Sequence, residues 1–289
     1  MRQLKLRAGL CLLALLCGSA WSPRSTPEPA TPARPAMRIV TLAPHLAELV
    51  YAAGAGDRLV GVSSYSDYPP AVAELPVIGD AFRVDYEAIA ALAPDLVLSW
   101  GSGNPAPLVE RLRNLGYRVV SLEAERLAQV ADQIELIGEL AGTADAARAA
   151  ATAYRDRLAA LAADYGGEPA LAVFYQLSVR PLLTVSRRHV IGQVLEVCGG
   201  VSLFAGLDEA VPAVALEAVV EARPPVIMAS APLPGRRPEL EFWQDWETVP
   251  AVRDDRIYVV DADLLSRPGP RLLDGVLQVC EYLADARRG

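Results

Sequence analysis

The sequence predicts an α/β protein made of two Rossmann-like lobes with parallel-rich sheets, joined by one long helix. Short apolar runs of strand length alternate with helical patterns in both halves of the chain, which is typical of parallel sheets covered on both faces. Residues 143–165 contain no Gly or Pro and are rich in Ala, Leu and Arg, which favours a single long helix. Residues 85–100 and 215–229 each read as a Glu-bearing short helix, a proline and a buried strand, so we expect two similar lobes.

The N-terminus is predicted to be an export signal over residues 1–20. Arg2, Lys5 and Arg7 precede an apolar stretch over residues 8–16, which is too short to span a bilayer with ease. No later stretch reaches the roughly 18 apolar residues of a membrane-spanning helix. We therefore expect a secreted, periplasmic protein.

A proline-rich linker is predicted over residues 21–36, where five prolines and little apolar content favour an extended chain. The rest of the chain is expected to divide into three parts. These are an N-terminal α/β lobe over residues 37–142, an inter-lobe helix over residues 143–166 and a C-terminal α/β lobe over residues 167–289.

The cysteine pattern agrees with export. Cys11 and Cys17 lie in the signal, which leaves Cys198 and Cys280 as one even pair in an oxidising compartment. A disulfide between them is predicted, and two buried thiols are the alternative. Lipidation of Cys17 is the less favoured outcome, because bulky Leu16 stands where lipoprotein signals usually place a small residue.

The first lobe is predicted to contain four strands and four helices. Pro44 begins the first helix and Gly54 ends it, Pro94 closes the second, and Gly116 ends the third. The strands are expected at residues 38–42, 58–62, 95–100 and 118–122, and the helices at residues 44–53, 86–92, 107–115 and 127–141.

The long helix is expected to be capped by Asp145 or Thr143 and to end at Gly166 and Gly167. A second α/β series follows it. Its strands are predicted at residues 171–176, 225–229 and 256–260, and its helices at residues 189–197, 216–221, 242–248 and 271–286.

Composition excludes several classes of function. The formal net charge of −8 and a sequence pI near 5.0 argue against a nucleic-acid partner, and two histidines are too few for a His-cluster metal carrier. The sequence contains no G-x-S-x-G, H-E-x-x-H, P-loop or G-x-G-x-x-G motif. We therefore expect no enzyme, no catalytic residue and no catalytic cofactor. An exported hydrolase stays as an alternative that needs a nucleophile–base pair.

A ligand site is predicted in the cleft between the lobes, near the carboxyl ends of the strands. Aromatic residues follow several strands, and they suit a large flat apolar ring system. Tyr65 and Trp100 have polar surroundings and are expected to be exposed, whereas Phe174 fits core and cleft equally well. Phe82 and Tyr175 are further cleft candidates.

Four segments carry a resemblance to a known family: residues 60–70 (VGVSSYSDYPP), residues 92–104 (LAPDLVLSWGSGN), residues 193–200 (QVLEVCGG) and residues 263–271 (DLLSRPGPR). From Arg38 to its C-terminus the chain resembles the periplasmic cobalamin-binding proteins of bacterial ATP-driven vitamin importers. The first segment is the most specific. The strand-plus-proline segments alone also fit the wider family, which carries siderophores and haem.

The resemblance implies a monomeric substrate-binding component of an ABC importer, whose lobes are bridged by a rigid helix and move little. It implies that a corrinoid, cobalamin, is the ligand and that the permease subunits, with their ATPase, are the partners. Glu87 and Glu217 match the glutamates that dock onto permease arginines, although a solvated helix face is the ordinary role of such residues. Cys198 and Cys280 match the family's disulfide positions. The residues that match ligand contacts are Tyr65, Trp100, Asp263, Leu264, Leu265, Ser266 and Arg267.

Departures from the family keep other ligands open. Phe82 or its neighbour stands where a tryptophan is expected, and a second cleft tryptophan near residues 211–212 is absent. His45, which follows Pro44 at a helix start in the first cleft loop, suits coordination of cobalt or haem iron, but a hydrogen-bonded loop histidine is the favoured interpretation. The alternative function is binding of haem or a ferric siderophore, for which Arg83, Arg180 and Arg267 are the candidate cleft arginines.

Overall fold

The structure is a computed structural model, and it describes residues 34–230 and 239–288. The predicted export signal over residues 1–20, Cys17 and most of the linker predicted over residues 21–36 lie outside the described residues. No helix among those described is both long enough and apolar enough to cross a membrane.

The first lobe is built on a four-stranded parallel sheet with the strand order β2–β1–β3–β4. Short 3₁₀ turns at Gly56–Arg58 and Pro70–Glu74 lie between its elements. The strands are β1 Ile39–Thr41, β2 Leu59–Gly61, β3 Leu96–Trp100 and β4 Val119–Leu122, and the helices are α1 Pro44–Ala52, α2 Tyr86–Leu92, α3 Ala106–Asn114 and α4 Gln129–Ala141.

Helices cover both faces of this sheet because its central strand is apolar on both sides. In β3, Leu96 and Leu98 belong to the core that includes residues of α1 and α4. Val97 points to the other core, which includes Ile89 of α2 and Leu112 of α3. Such continuous apolar strands are expected of parallel sheets buried on both faces.

The second lobe repeats this plan with the parallel strand order β10–β9–β5–β8. A small antiparallel hairpin, formed by β6 and β7, and a 3₁₀ turn at Glu241–Asp245 are added to it. The strands are β5 Leu171–Gln176, β6 Ser178–Val179, β7 Leu182–Leu183, β8 Gly200–Ser202, β9 Val226–Ser230 and β10 Ile257–Val260. The helices are α6 Val190–Val197, α7 Leu216–Ala222, α8 Pro250–Arg253, α9 Ala262–Leu265 and α10 Leu272–Arg288.

Between the two sheets runs α5, Ala144–Tyr165, a helix of 22 residues and therefore about 33 Å long. It packs against α4 where Gly138 faces Ala147, since a Cβ at Gly138 would collide with that alanine. The predicted side-chain cap is wrong. Thr143 Oγ1 donates instead to the carbonyl of Ala53 at 2.7 Å, and Asp145 pairs with Arg148.

The predicted fold class, two α/β lobes with parallel sheets around one long helix, is confirmed. The short strand β8, the hairpin and the four-residue helices α8 and α9 were not predicted, because segments of two to four residues carry too little periodicity. The helical turn predicted over residues 242–248 is present as the 3₁₀ turn at Glu241–Asp245, which ends three residues earlier than predicted.

The predicted disulfide is confirmed. Cys198, the residue that ends α6, is bonded to Cys280 in α10 across 82 residues of chain. Closing a loop of this length restricts the unfolded chain and contributes about 4 kcal/mol to stability in the chain-entropy model.

Candidate functional site

A cavity of about 1230 Å³ opens between the lobes. Its lining begins where β3, β4 and β5 end, which is the edge where open parallel sheets bind ligands. The volume exceeds the range of about 300–1,000 Å³ common for small-molecule pockets. The first lobe contributes Trp100, Gly101, Ser102, Glu123, Ala124, Glu125 and Arg126, and the second contributes Leu177, Arg188, His189, Val190, Ile191, Gln193, Asp208, Ala210, Val211, Leu265, Ser266 and Pro268.

Trp100 is the aromatic residue of the first-lobe wall. It is half-buried rather than exposed as predicted, because its ring lies over Gly103, where a Cβ would collide with it. Behind it, the His45 ring packs edge-on at 5.2 Å between centroids. The indole Nε1 of Trp100 has no hydrogen-bond partner among the described residues.

Asn104 fixes the backbone around Trp100, and sequence reasoning did not identify it as a site residue. Its Oδ1 accepts from the amide of Trp100 at 2.6 Å, and its Nδ2 donates to the carbonyls of Leu42 at 3.1 Å and Ala81 at 2.8 Å. This buried amide therefore joins the ends of β1 and β3 to the loop that carries Phe82. Phe82 itself is 69% exposed and lies outside the cavity lining.

The loop that carries Tyr65 is tied to the second lobe. Asp67 accepts from Arg267 at 2.6 Å, and the Tyr68 ring lies 4.1 Å from the Arg271 guanidinium. Tyr65 itself takes a left-handed backbone conformation with φ of 65° and is 65% exposed, as predicted. The ion pair thus brings the Tyr65 loop next to the segment over residues 263–267.

Buried ion pairs join the two lobes beside this loop. Glu48 of α1 accepts two hydrogen bonds from Arg271, at 2.7 and 3.0 Å, and these bonds raise the pKa of Arg271. Arg267 pairs with Asp263 at 2.8 Å and lies 3.8 Å from Glu48. Arg267 is only 8% exposed, so its guanidinium is held by carboxylates from both lobes.

His45 lies at the helix start predicted after Pro44, but it does not line the cleft. It is the second residue of α1 and is 3% exposed, outside the cavity lining. Burial, together with the nearby Arg267 charge, lowers the pKa of His45 to about 3. The ring is therefore neutral at ordinary pH and packs behind Trp100.

The cavity brings together three of the predicted ligand contacts, namely Trp100, Leu265 and Ser266. Asp263 and Leu264 lie in α9 outside the lining. Tyr175 is fully buried and does not lie in the cleft, and Phe174, left open between core and cleft, packs in the core against Trp243 at 5.7 Å between centroids. Arg83, Arg180 and Arg267, the arginines expected of a siderophore site, also lie outside the lining, and Arg180 pairs with Glu239.

Sequence reasoning missed most of the second-lobe wall. Gln193 of α6 reaches the first lobe there, where its Oε1 accepts from the amide of Leu127 at 3.3 Å and its Nε2 donates to the carbonyl of Glu125 at 2.7 Å. Residues 123–126 follow β4, and the strand-end rule applied to that strand would have identified them. Within residues 34–230 and 239–288, no group of three or more His, Cys, Asp or Glu side chains is placed to hold a metal ion.

Glu87 and Glu217 occupy matching places in the two lobes. Each is exposed and is the second residue of a seven-residue helix, α2 or α7. Each helix ends at a residue in the left-handed conformation, Ala93 with φ of 44° and Arg223 with φ of 50°. A central strand follows in both lobes, so the predicted echo between the halves extends to backbone detail.

Comparison with known proteins identifies the family. The periplasmic binding protein family model matches residues 39–264, and the chain belongs to that family. Among relatives, it is similar to the vitamin B12-binding protein of Vibrio cholerae, with 38% identity over 255 residues, 88% of this chain and 91% of that protein. A vitamin B12-binding protein of Vibrio vulnificus is 36% identical over 253 residues, 87% of this chain and 92% of the relative.

Solved structures agree with this assignment. The crystal structure of the periplasmic vitamin B12 binding protein BtuF of Vibrio cholerae matches with a TM-score of 0.78 and 38% identity, covering 88% of this chain and 99% of that one. A periplasmic heme binding protein from Pseudomonas aeruginosa matches with a TM-score of 0.72 and 27% identity, covering 85% and 91% of the two chains.

Proposed function

We propose that this chain is the substrate-binding component of an ABC importer, which binds a corrinoid, cobalamin, between its lobes and delivers it to a membrane permease. The observation that carries the proposal is the large inter-lobe cavity, walled on one side by Trp100, in a chain 38% identical to a vitamin B12-binding protein along most of its length. Cobalamin is cargo here and not a catalytic cofactor, and the chain is no enzyme.

Aromatic and polar side chains have different roles in binding the ligand. Trp100 provides a flat apolar surface for the macrocycle, and Tyr65 and Phe82 add exposed rings that become covered by a bound ligand. Aromatic side chains of this kind bury roughly 150–250 Å² each. On the second lobe, Leu265 and Ser266 line the cavity, and the rest of the proposed contact segment is Asp263, Leu264 and Arg267. His45 acts by supporting the Trp100 ring.

Glu87 and Glu217 are proposed as the contacts to the permease. Each is exposed, and each is carried by the equivalent helix of its lobe, so a partner with two arginine clusters can engage both lobes at once. Charge complementarity of this kind steers and orients the encounter. Delivery also requires export, for which we propose cleavage of residues 1–20 and release of a monomeric, unlipidated periplasmic protein.

A ligand panel tests the proposal. Purified protein is titrated with cyanocobalamin, haemin and a ferric siderophore by calorimetry, and absorption spectra are recorded for each mixture. We expect one cyanocobalamin per chain and much weaker binding of the other two. Tight binding of haemin without binding of cyanocobalamin would replace the corrinoid function with haem binding.

A further inference from the structure

The second-lobe wall of the cavity holds a histidine that none of the roles above uses. His189 precedes α6, is half-buried and lines the cavity. Its Nδ1 accepts a hydrogen bond from the backbone amide of Ile191 at 3.2 Å. The ring is thus the side-chain cap of α6, and its orientation is fixed by a helix that Gln193 and the disulfide also hold.

This cap determines which nitrogen of His189 carries the proton. An acceptor nitrogen has its lone pair free for the incoming N–H, so the ring proton is on Nε2. Burial lowers the pKa of His189, which keeps the ring neutral. The charged neighbours on this wall, Arg188 and Asp208, pair with each other at 3.4 Å. His189 therefore offers the cavity one N–H donor.

The same tautomer argues against coordination of a metal by His189. A bond from Nε2 to cobalt or iron would require the proton to move to Nδ1. Nδ1–H would then face the Ile191 N–H, so two donors would oppose each other and the cap would be lost. The stable arrangement is a donor, not a metal ligand.

We infer that His189 is a further ligand-recognition residue, whose Nε2–H donates to an amide oxygen at the edge of the corrinoid. This inference rests on the proposed corrinoid function. A corrin ring carries carboxamide side chains around its periphery, and their carbonyl oxygens are acceptors that match this donor. The contact sets the orientation of the macrocycle, which stacking on Trp100 alone leaves free to rotate.

Three variants separate the cap from the ligand contact. His189→Ser and His189→Asn keep a side-chain cap for α6 but remove the donor at the Nε2 position, whereas His189→Ala removes both. Calorimetry with cyanocobalamin is expected to give affinities about 3- to 10-fold weaker for all three, the effect of one lost hydrogen bond. Only His189→Ala should also lower the thermal midpoint.

Spectra supply the second measurement. Aquocobalamin bound to the wild type and to His189→Ser should give the same visible spectrum, because no imidazole of this chain replaces its water. Unchanged cyanocobalamin affinity in both capped variants would overturn the inference, as would a wild-type spectral shift that His189→Ser abolishes. If the wild type binds no cyanocobalamin, the proposed function fails as well as the inference. If the wild type and the variants bind cyanocobalamin equally well, only the inference about His189 fails.

Discussion

The two walls of the cavity differ in chemistry although the two lobes share one architecture. The first-lobe wall presents Trp100, held from behind by His45 and at its backbone by Asn104. The first-lobe wall also carries charged side chains, whereas the second-lobe wall is mostly apolar and adds His189 and the pair of Arg188 and Asp208. The aromatic surface therefore lies on the first-lobe wall and the fixed His189 ring on the second, so variants in one wall test stacking and variants in the other test orientation.

Outside the cavity, the helices that carry Glu87 and Glu217 are equivalent in the two lobes, and changing both residues is expected to have the largest effect. Reversing both docking charges, Glu87→Lys with Glu217→Lys, should abolish transport into permease-containing vesicles, because both lobes must engage the partner. Cyanocobalamin affinity should be unchanged. Glu221→Lys, also exposed on α7, is the matched control and should transport normally. Normal transport by the double variant would remove the docking assignment.

Removing an ion pair between the lobes should have the next largest effect, in this case on stability. Glu48→Gln leaves Arg271 partly buried without its carboxylate, and breaking such a pair costs about 3 kcal/mol of unfolding free energy. Urea denaturation measures the change. Replacing both partners by leucine should cost less than the single change, since no charge is then left unpaired. Equal stability of Glu48→Gln and the wild type would show that the ion pair between Glu48 and Arg271 does not stabilise the fold.

The contribution of the first-lobe wall is measured with Trp100→Ala. Loss of this ring should weaken cyanocobalamin binding by about 30-fold or more, the effect of a central aromatic contact. Trp246→Ala serves as the control, because Trp246 is also half-buried but lies outside the cavity. A Trp100→Ala protein with wild-type affinity would show that the first-lobe wall does not bind the ligand.

A smaller effect is expected from pH. His45 has a folded pKa of about 3, lowered by burial and by the Arg267 charge, whereas the unfolded chain titrates near 6.5. As the pH falls below 6.5 the unfolded state binds the proton first, so stability decreases until the folded pKa is reached. Between pH 6.5 and 5 this loss amounts to about 2 kcal/mol.

His45→Leu tests that assignment. The variant should lose this part of the pH dependence of unfolding, measured by urea denaturation at both pH values, while the contribution of His189 stays the same in both proteins. The same slope of stability against pH in variant and wild type would place the titrating group elsewhere.

The secondary structure was predicted well from the sequence, because helices and strands are determined largely by residues close together in the chain. The bounds of α2 and β5 match the predictions residue for residue, since Asp85 caps the former and apolar residues fill the latter. Trp100, predicted from its place at the end of a strand in polar surroundings, lines the cavity, whereas Tyr65, predicted on similar grounds, lies outside the lining.

The joint between the lobes was not predictable from the sequence. Its ion pairs connect residues 200 and 223 positions apart, Asp67 with Arg267 and Glu48 with Arg271, and no local pattern indicates such partners. Phe174 lies in a strand that is apolar on both faces, so its burial could be decided only by the packing of Trp243 against it. The cap formed by His189 likewise depends on backbone geometry that residue types do not reveal.

The bond between Cys198 and Cys280 lies at the C-terminal end of α6, and His189 lies at the opposite end of the same short helix. A reducing agent applied to the folded protein would thus act on the ligand wall from about two helical turns away, through the helix that Gln193 also ties to the first lobe. Protein prepared in a reducing cytosol should accordingly differ from exported protein in how it orients its cargo more than in how strongly it holds it.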